Sequence, residues 1–472
     1  MREGADAEVA PVPTLLQRLR DRDHTRAGIV GSLVVLALPS ALTGVFGGGL
    51  FQMAELHFLG LLGPEAVAAA GATNQILRQF FFLLTFGVTV ATQMWIARHV
   101  GEGSVEEAEH AAGQSFLLGA VLALAAALAG AFFTEPLVAF VAGDPAVAEL
   151  GVVYARITLL TLSVFVASQI FSSVLAGAGD STTPMIVTLI TTPVGIGAQW
   201  ALTFGWHGIP ALGIGGIAWG AAAGGVVSIG MFAWTLLTGR CRVHLRGRHF
   251  VPDAALLRRL LSFSWQPAMH FVARSLIIMV FMWLSGRLGG DVQAAYTIGM
   301  RIEMMAVMLA FPVANACATL VGQNLGAGDV SRAWQSIRIA SGVILGLLIP
   351  GAAALFVFRF DVVALFTDEP AVLEMAAEYL FYASVQMAFY GPYFVAFRSL
   401  QAAGDMNGPM IISVSVAVLI GAPLGLWLSS YTDLGATGMW IANLVYGSLN
   451  AILMVAWLLT GRWTRGTRAP AT

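Results

Sequence analysis

Lysine is absent. All 24 basic residues of the 472-residue chain are arginine, so the phosphate-binding loop G-x-x-x-x-G-K-[ST], which needs a lysine, is excluded. No soluble nucleotide-binding domain is visible either. Any uphill work by this chain must draw on an ion gradient or on a partner chain. Charge of either sign is scarce, at 11% of residues against about 25% in soluble domains. With 58% hydrophobic residues and a mean hydropathy of +0.80, the chain is expected to live in a bilayer. Only two cysteines occur, Cys241 in a basic segment and Cys317 in an apolar run, so no disulfide is expected. His57 and His270 have no second ligand at metal-binding spacing, and no metal site is expected. No nucleophile recurs with a His and an acid, which argues against a membrane-embedded enzyme such as an acyltransferase. A net charge of −2 offers nothing to nucleic acid.

What the chain has is long apolar runs. Twelve spans are read from hydropathy, at residues 30–58, 66–98, 111–133, 149–177, 184–205, 214–238, 261–287, 292–323, 334–357, 372–402, 409–430 and 436–460. Each is long enough to cross a bilayer as a helix. The 53 glycines suit close helix packing in lipid. The first 26 residues are too polar for a signal peptide and read as a cytoplasmic arm. Arginine sets the orientation. It is concentrated in that arm, in the central segment (Arg240, Arg242, Arg246, Arg248, Arg258, Arg259) and in the tail (Arg462, Arg465, Arg468). Twelve spans put all three on one side, the cytoplasm. Arg98, Arg332 and Arg398 are read as lying in short loops on that side. The opposite loops are acidic, with Glu135, Asp144, Glu149, Asp361, Asp368 and Glu369.

The sequence repeats itself. At a shift of 225, Ala69-Ala70 meets Ala294-Ala295, Gly101 meets Gly326, Pro145-Ala146-Val147 meets Pro370-Ala371-Val372, and Tyr154 meets Tyr379. LAGAGDSTTPMI at 175–186 meets LQAAGDMNGPMI at 400–411. A unit of six spans is even, so the halves are parallel and related by an axis along the membrane normal. The expected architecture is an all-α membrane protein of two six-helix lobes, residues 28–239 and 261–461. A cytoplasmic arm (1–27), a basic linker (240–260) and a tail (462–472) complete the chain.

Glu55 stands out. It is the first charged side chain after Arg26, in the sequence M-A-E-L-H-F-L-G. A carboxylate is costly in lipid and usually faces a cavity or an ion path. The other reading is a glutamate at the membrane surface. Polar residues that would line a cavity beside it are Gln52, Asn74, Gln75, Arg78, Gln169, Ser172 and Gln199. Asn74 and Arg78 share a helix face, and Arg78 is a candidate counter-ion. In the second lobe Arg301 and Glu303 open span 8. Glu303 reads either as a gate or second coupling carboxylate, or as half of an interfacial ion pair. Met300, Met304, Met305 and Met308 lie beside Phe311, as an adaptable apolar pocket or as a core stripe. The two G-D-x-x-x-P elements read as helix caps. The Gly322-Gln323-Asn324 segment reads as a tight loop.

These motifs together resemble the multidrug and toxic compound extrusion (MATE) family. They are G-Q-N-L-G-A-G-D-x-x-R-A at 322–333, the twin G-D-x-x-x-P loops, Leu38-Pro39 and E-L-H-F-L-G-x-L-G at 55–63. The likeness covers residues 28–462. It implies a multi-pass transporter of a bacterial inner membrane, monomeric, that exports drugs or metabolites against H⁺ or Na⁺ without a further cofactor. The family's span-1 acid falls on Glu55, with the spacing from Pro39 one residue longer, expected to be taken up at Gly47-Gly48-Gly49. The Na⁺-coupled type has second-lobe acids that fall near Ser275 and Tyr390. The span-5 acid of proton-coupled relatives falls on Gln199. None of the three is acidic here. The likeness is therefore closer to the proton-coupled, DNA-damage-inducible-type branch, with Glu55 as the coupling group. The alternatives are a Na⁺-coupled drug antiporter and a lipid-linked oligosaccharide flippase of the same superfamily.

Overall fold

The structure, a computed structural model, describes residues 23–141, 145–239 and 241–467. The chain runs up and down through helical spans. They are α1 (Ile29–Leu62), α2 (Pro64–Glu102), α3 (Val105–Val141), α4 (Pro145–Leu160 and Leu162–Ala178, bent by 46°), α5 (Thr182–Phe204) and α6 (Ile214–Leu237) in the first lobe. The second lobe has α7 (Ala254–Leu288), α8 (Gly290–Gly326), α9 (Val330–Val357), α10 (Pro370–Ala402), α11 (Asn407–Ser430) and α12 (Gly435–Leu459). Among the described residues nine of these are long and apolar enough to cross a membrane, ten if bent α4 counts as one. The other two, α2 and α10, are 39 and 33 residues long, ample at about 1.5 Å per residue.

Local chemistry sets the ends. Gly179 and Gly404 take φ of +89° and +86°, a left-handed turn that an L side chain resists. After each, an aspartate caps the next helix. Asp180 accepts from the amides of Thr182 and Thr183 at 3.0 and 2.9 Å, and Asp405 from that of Gly408 at 3.1 Å. Asp405 also accepts the Trp457 indole N–H at 2.7 Å, tying α11 to α12. Asp253 caps α7 in the same way, so α7 begins at Ala254, seven residues before the apolar run that hydropathy detects. The Leu256 amide, ahead of His110, holds the Asp253 carboxyl below the usual carboxylate range.

The larger core belongs to the second lobe, around Phe281, Tyr379 and Trp440. Leu33, Leu36 and Ala37 of α1 join it, and α7 in turn packs on α2. The first half of each lobe thus leans on the other lobe. The first and last described residues lie at one end of the molecule, the terminal end. There the Arg332 guanidinium donates to the carbonyls of His24 and Ala27, and Trp334 packs on Trp463.

Candidate functional site

Each lobe holds a cavity away from the terminal end, and each cavity has one glutamate in its wall. In the first lobe, α1 departs from α-helical pitch at Gly44–Leu50, a π-helical segment. Such a segment accommodates one extra residue, and it contains the three glycines at which the extra residue was expected. It brings Glu55 onto a cavity of about 330 Å³ lined also by Phe51, Tyr154, Ser168, Gln169, Thr192 and Ser228. The Tyr154 hydroxyl on α4 lies 2.8 Å from Glu55 Oε1. It lies 3.2 Å from Asn74 Oδ1. A phenol has one proton, and the shorter contact to a carboxylate takes it. The Asn74 amide donates to the same Glu55 oxygen at 3.4 Å. Helices α1, α2 and α4 thus meet at one carboxylate.

The second-lobe cavity is about 190 Å³, lined by Arg274, Tyr296, Met300, Arg301, Glu303, Met304, Tyr379, Tyr390, Tyr393 and Tyr446 among others. The hydroxyls of Tyr379 and Tyr390 each donate to one oxygen of Glu303. Gln386 donates to the Tyr390 oxygen at 3.1 Å. Tyr379 is the repeat partner of Tyr154. The same tyrosine position therefore serves both lobes, although the glutamates sit on helices that the repeat does not equate, α1 and α8.

Between the cavities and the terminal end the lobes grip each other. Arg398, 4% exposed, donates to Asn315 Oδ1 at 2.7 Å, Gln401 Oε1 at 2.6 Å and, across the lobe boundary, Gln93 Oε1 at 2.6 Å. Gln93 donates to Thr319 at 3.0 Å, and Thr319 to the Ala176 carbonyl at 2.9 Å. Gln323 donates to the Gly177 carbonyl at 3.0 Å. Arg398 is therefore a buried helix residue, not a loop arginine. The Gly322–Gly326 segment is the last turn of α8, where small residues let α2 approach, rather than a loop.

Of the residues expected to line the first cavity, Asn74 reaches Glu55 and Gln169 is in the wall. Gln52 is exposed on the outer side of α1. Ser172 is half-buried outside the lining. Gln199 is fully buried and donates to the Ile217 carbonyl at 3.3 Å, between α5 and α6. The amide N–H at that position is spent in helix packing rather than in the cavity. The side chains of Gln75 and Arg78 lie outside the described residues. In the second lobe Arg301, Glu303, Met304 and Tyr390 all line the cavity. Met304, Met305 and Met308 are exposed, 52–64%, so the methionines form no core stripe. Glu303 has tyrosine partners instead of an ion pair.

Sequence reasoning reads Arg274, which the repeat leaves without a partner, only as a mid-span cation and gives it no site; it missed the role of the two tyrosines, although the constant spacing had already paired them. It also missed Glu106, Glu109 and His249, whose ligand atoms lie within 4.8 Å of one another. Their partners are local. Arg248 donates to Glu106 at 2.6 Å, and the His244 amide donates to Glu109 at 2.8 Å, so the cluster docks the linker onto α3.

Comparison with known proteins bears on the fold and the family. The family described as MatE matches residues 41–200 and 268–427, one match to each lobe. A protein described as a probable multidrug resistance protein NorM from Thermotoga maritima is 26% identical over 447 residues, 92% of this chain and 93% of its own. Among solved structures, one described as MATE in the bent conformation superposes with a TM-score of 0.87 at 20% identity, covering 97% of this chain and all of the other. One described as the outward-facing conformation of a multidrug resistance MATE family transporter gives 0.86 at 20% identity over 97% of this chain.

Proposed function

Since the chain belongs to the MatE family, a family of multi-pass membrane transporters, we propose that it is a secondary active exporter that moves amphipathic, often cationic small molecules out of the cytoplasm against H⁺. The observation that carries the reading is Glu55, held by a phenol and an amide on the wall of the first-lobe cavity. A carboxylate there has two states that differ by one charge. Ionised, it attracts a cationic substrate entering from the cytoplasm. Protonated from the outside, it loses that attraction and the substrate leaves. The two carriers compete for one group, which is what antiport requires.

The lobes, residues 28–239 and 261–461, supply alternating access. The arginine-rich terminal end is cytoplasmic, with both termini inside a bacterial inner membrane. The grip of Arg398 and Gln323 on the first lobe then closes the path to the cytoplasm, and both cavities serve the outward side. A single chain holds both cavities, and the working unit is a monomer. The lack of acids at Ser275 and Tyr390 supports the proton-coupled, DNA-damage-inducible-type assignment over the Na⁺-coupled one.

The test is transport of ethidium by the purified protein in proteoliposomes under one imposed gradient at a time. Movement driven by a pH gradient is expected. Movement driven by Na⁺ alone would overturn the proton assignment, and movement under neither would overturn the antiporter.

A further inference from the structure

Among the described residues Arg274, a cation within the α7 span, has no carboxylate partner. It lies near the middle of α7, a 35-residue helix, and its guanidinium lines the second-lobe cavity. The ring of Phe394 is 5.9 Å from its Cζ, and the phenols of Tyr390, Tyr393 and Tyr446 surround it. Glu303 is close enough for its charge to reach the guanidinium, but among the described residues Arg274 makes no ion pair within 4.0 Å. Both Glu303 oxygens are instead taken by tyrosine hydroxyls. Charged groups inside a membrane normally pair with one another or face a substrate path. Here the pairing carboxylate is present in the same cavity and is engaged elsewhere. A guanidinium offers a planar fork of donors that matches a carboxylate, sulfonate or phosphate. The remaining wall is mostly aromatic and apolar, with Tyr296, Tyr379, Phe281, Ile277, Met300 and Val307, and it also carries a second guanidinium, Arg301, and the amides of Gln386, Asn443 and Asn450.

We propose that the second-lobe cavity is a binding site for aromatic anions and zwitterions, with Arg274 as the anchor of the anionic group and the tyrosines stacking on the ring. The inference rests on the efflux reading for its physiological use, since it names a class of molecule the exporter would carry besides cations. The two glutamates and this arginine then divide the work. The first lobe discriminates by a group that can lose its charge, and the second by one that cannot.

The test separates binding from transport by using two probes of one shape and opposite charge, 2-naphthoate and 2-naphthylmethylammonium. Equilibrium dialysis against the purified full-length protein in a neutral maltoside detergent, with empty micelles as blank, gives the affinities. Saturable binding of 2-naphthoate is expected, weakened on the order of tenfold in Arg274→Gln, the scale of one charge-assisted contact. Arg274→Lys keeps the charge but loses the planar fork, so its loss is smaller than that of Arg274→Gln without returning to the parental affinity. Binding of the ammonium probe is not weakened by Arg274→Gln. Absence of saturable 2-naphthoate binding overturns the proposal. So does equal binding by Arg274→Gln, a loss in Arg274→Lys as large as that in Arg274→Gln, or a parallel loss of the ammonium probe. Naphthoate binding as described, with no gradient-driven ethidium transport, leaves the anion site standing and removes the exporter. Ethidium transport without naphthoate binding does the reverse.

Discussion

Gly101 and Gly326 stand 225 positions apart and each packs against the other's helix by the same contact. A Cβ on Gly101 would lie 2.0 Å from the Gln323 carbonyl oxygen, and one on Gly326 would lie 2.1 Å from that of Arg98. Arg98 and Gln323 are themselves 225 apart, so the pseudo-two-fold axis passes between α2 and α8 at the terminal end. Backbones this close leave no room for a methyl group. Gly101→Ala and Gly326→Ala are each expected to force the lobes apart there without unfolding either one. Nitroxide labels at Val105 and Ala327, both exposed, would report a longer and broader distance by pulsed electron resonance in either variant. A parental distance in both would show that this contact does not hold the terminal end shut.

The polar layer above those glycines gives a second test. Gln93→Ala removes the bond from Arg398 across the boundary and leaves part of a buried guanidinium unsatisfied, a cost of about 1.5–3 kcal/mol. Gln401→Ala removes a bond to the same guanidinium from within its own helix. Both variants should lower thermal stability. Only Gln93→Ala should lengthen the distance between the labels, because of the two glutamines only Gln93 bonds across the boundary, to Arg398 and to Thr319. Equal lengthening by both would mean that Arg398 acts through the stability of α10 alone.

Much of this was legible before any coordinates. The lobes follow from a constant spacing of identities, and the caps at Asp180 and Asp405 from the Gly-Asp pairs. Glu55 follows from the cost of a carboxylate in an apolar run. What stayed hidden depends on which helix meets which. Gln199 and Gln169 look alike in sequence, yet one is spent on the Ile217 carbonyl and the other faces the cavity. Arg398 reads as a loop residue because a charge near the end of a span usually marks the boundary. Three amide acceptors, from α2, α8 and α10 itself, allow it inside. Arg274 reads as an isolated cation until Tyr379 and Tyr390 are seen to occupy the carboxylate it would otherwise pair with.

One buried side chain makes three of the hydrogen bonds that hold the linker. Gln114 on α3 donates to the carbonyls of His249 and Val251 at 3.0 and 2.7 Å and accepts from the Asp253 amide at 2.9 Å. It is fully buried. Gln114→Ala strips three backbone partners at about 0.5–1.5 kcal/mol net each. Trypsin cleavage after Arg246 and Arg248 in detergent solution is expected to speed up several-fold while the lobes stay intact. Acid should act in the same direction. The Asp253 carboxyl lies below its ordinary range in the folded state, so its contribution is present at neutral pH and is lost as pH falls through that lowered value. A parental cleavage rate in Gln114→Ala would show that the Glu106–Arg248 and Glu109–His244 contacts hold the segment without it.

The two cavity glutamates predict a graded series. Glu55→Gln keeps the shape and the hydrogen bond from Tyr154 but fixes the charge at zero, so pH-driven ethidium transport should disappear while membrane insertion is unchanged. Tyr154→Phe removes the donor at 2.8 Å and leaves the Asn74 amide in place at 3.4 Å. The carboxylate remains, but its position is less defined. Transport should fall about three- to tenfold, since one hydrogen bond to a charged group is worth about 1.5–3 kcal/mol and part of that is regained by water in an open cavity. Tyr379→Phe leaves Glu303 with Tyr390 alone and is expected to spare ethidium transport relative to Tyr154→Phe, because the tyrosines are equivalent by sequence while the groups they hold are not. Resistance to ethidium in cells, read with protein level in the membrane, checks all three. A resistant Glu55→Gln strain would remove Glu55 from the coupling step. Equal losses in Tyr154→Phe and Tyr379→Phe would move part of the coupling to Glu303.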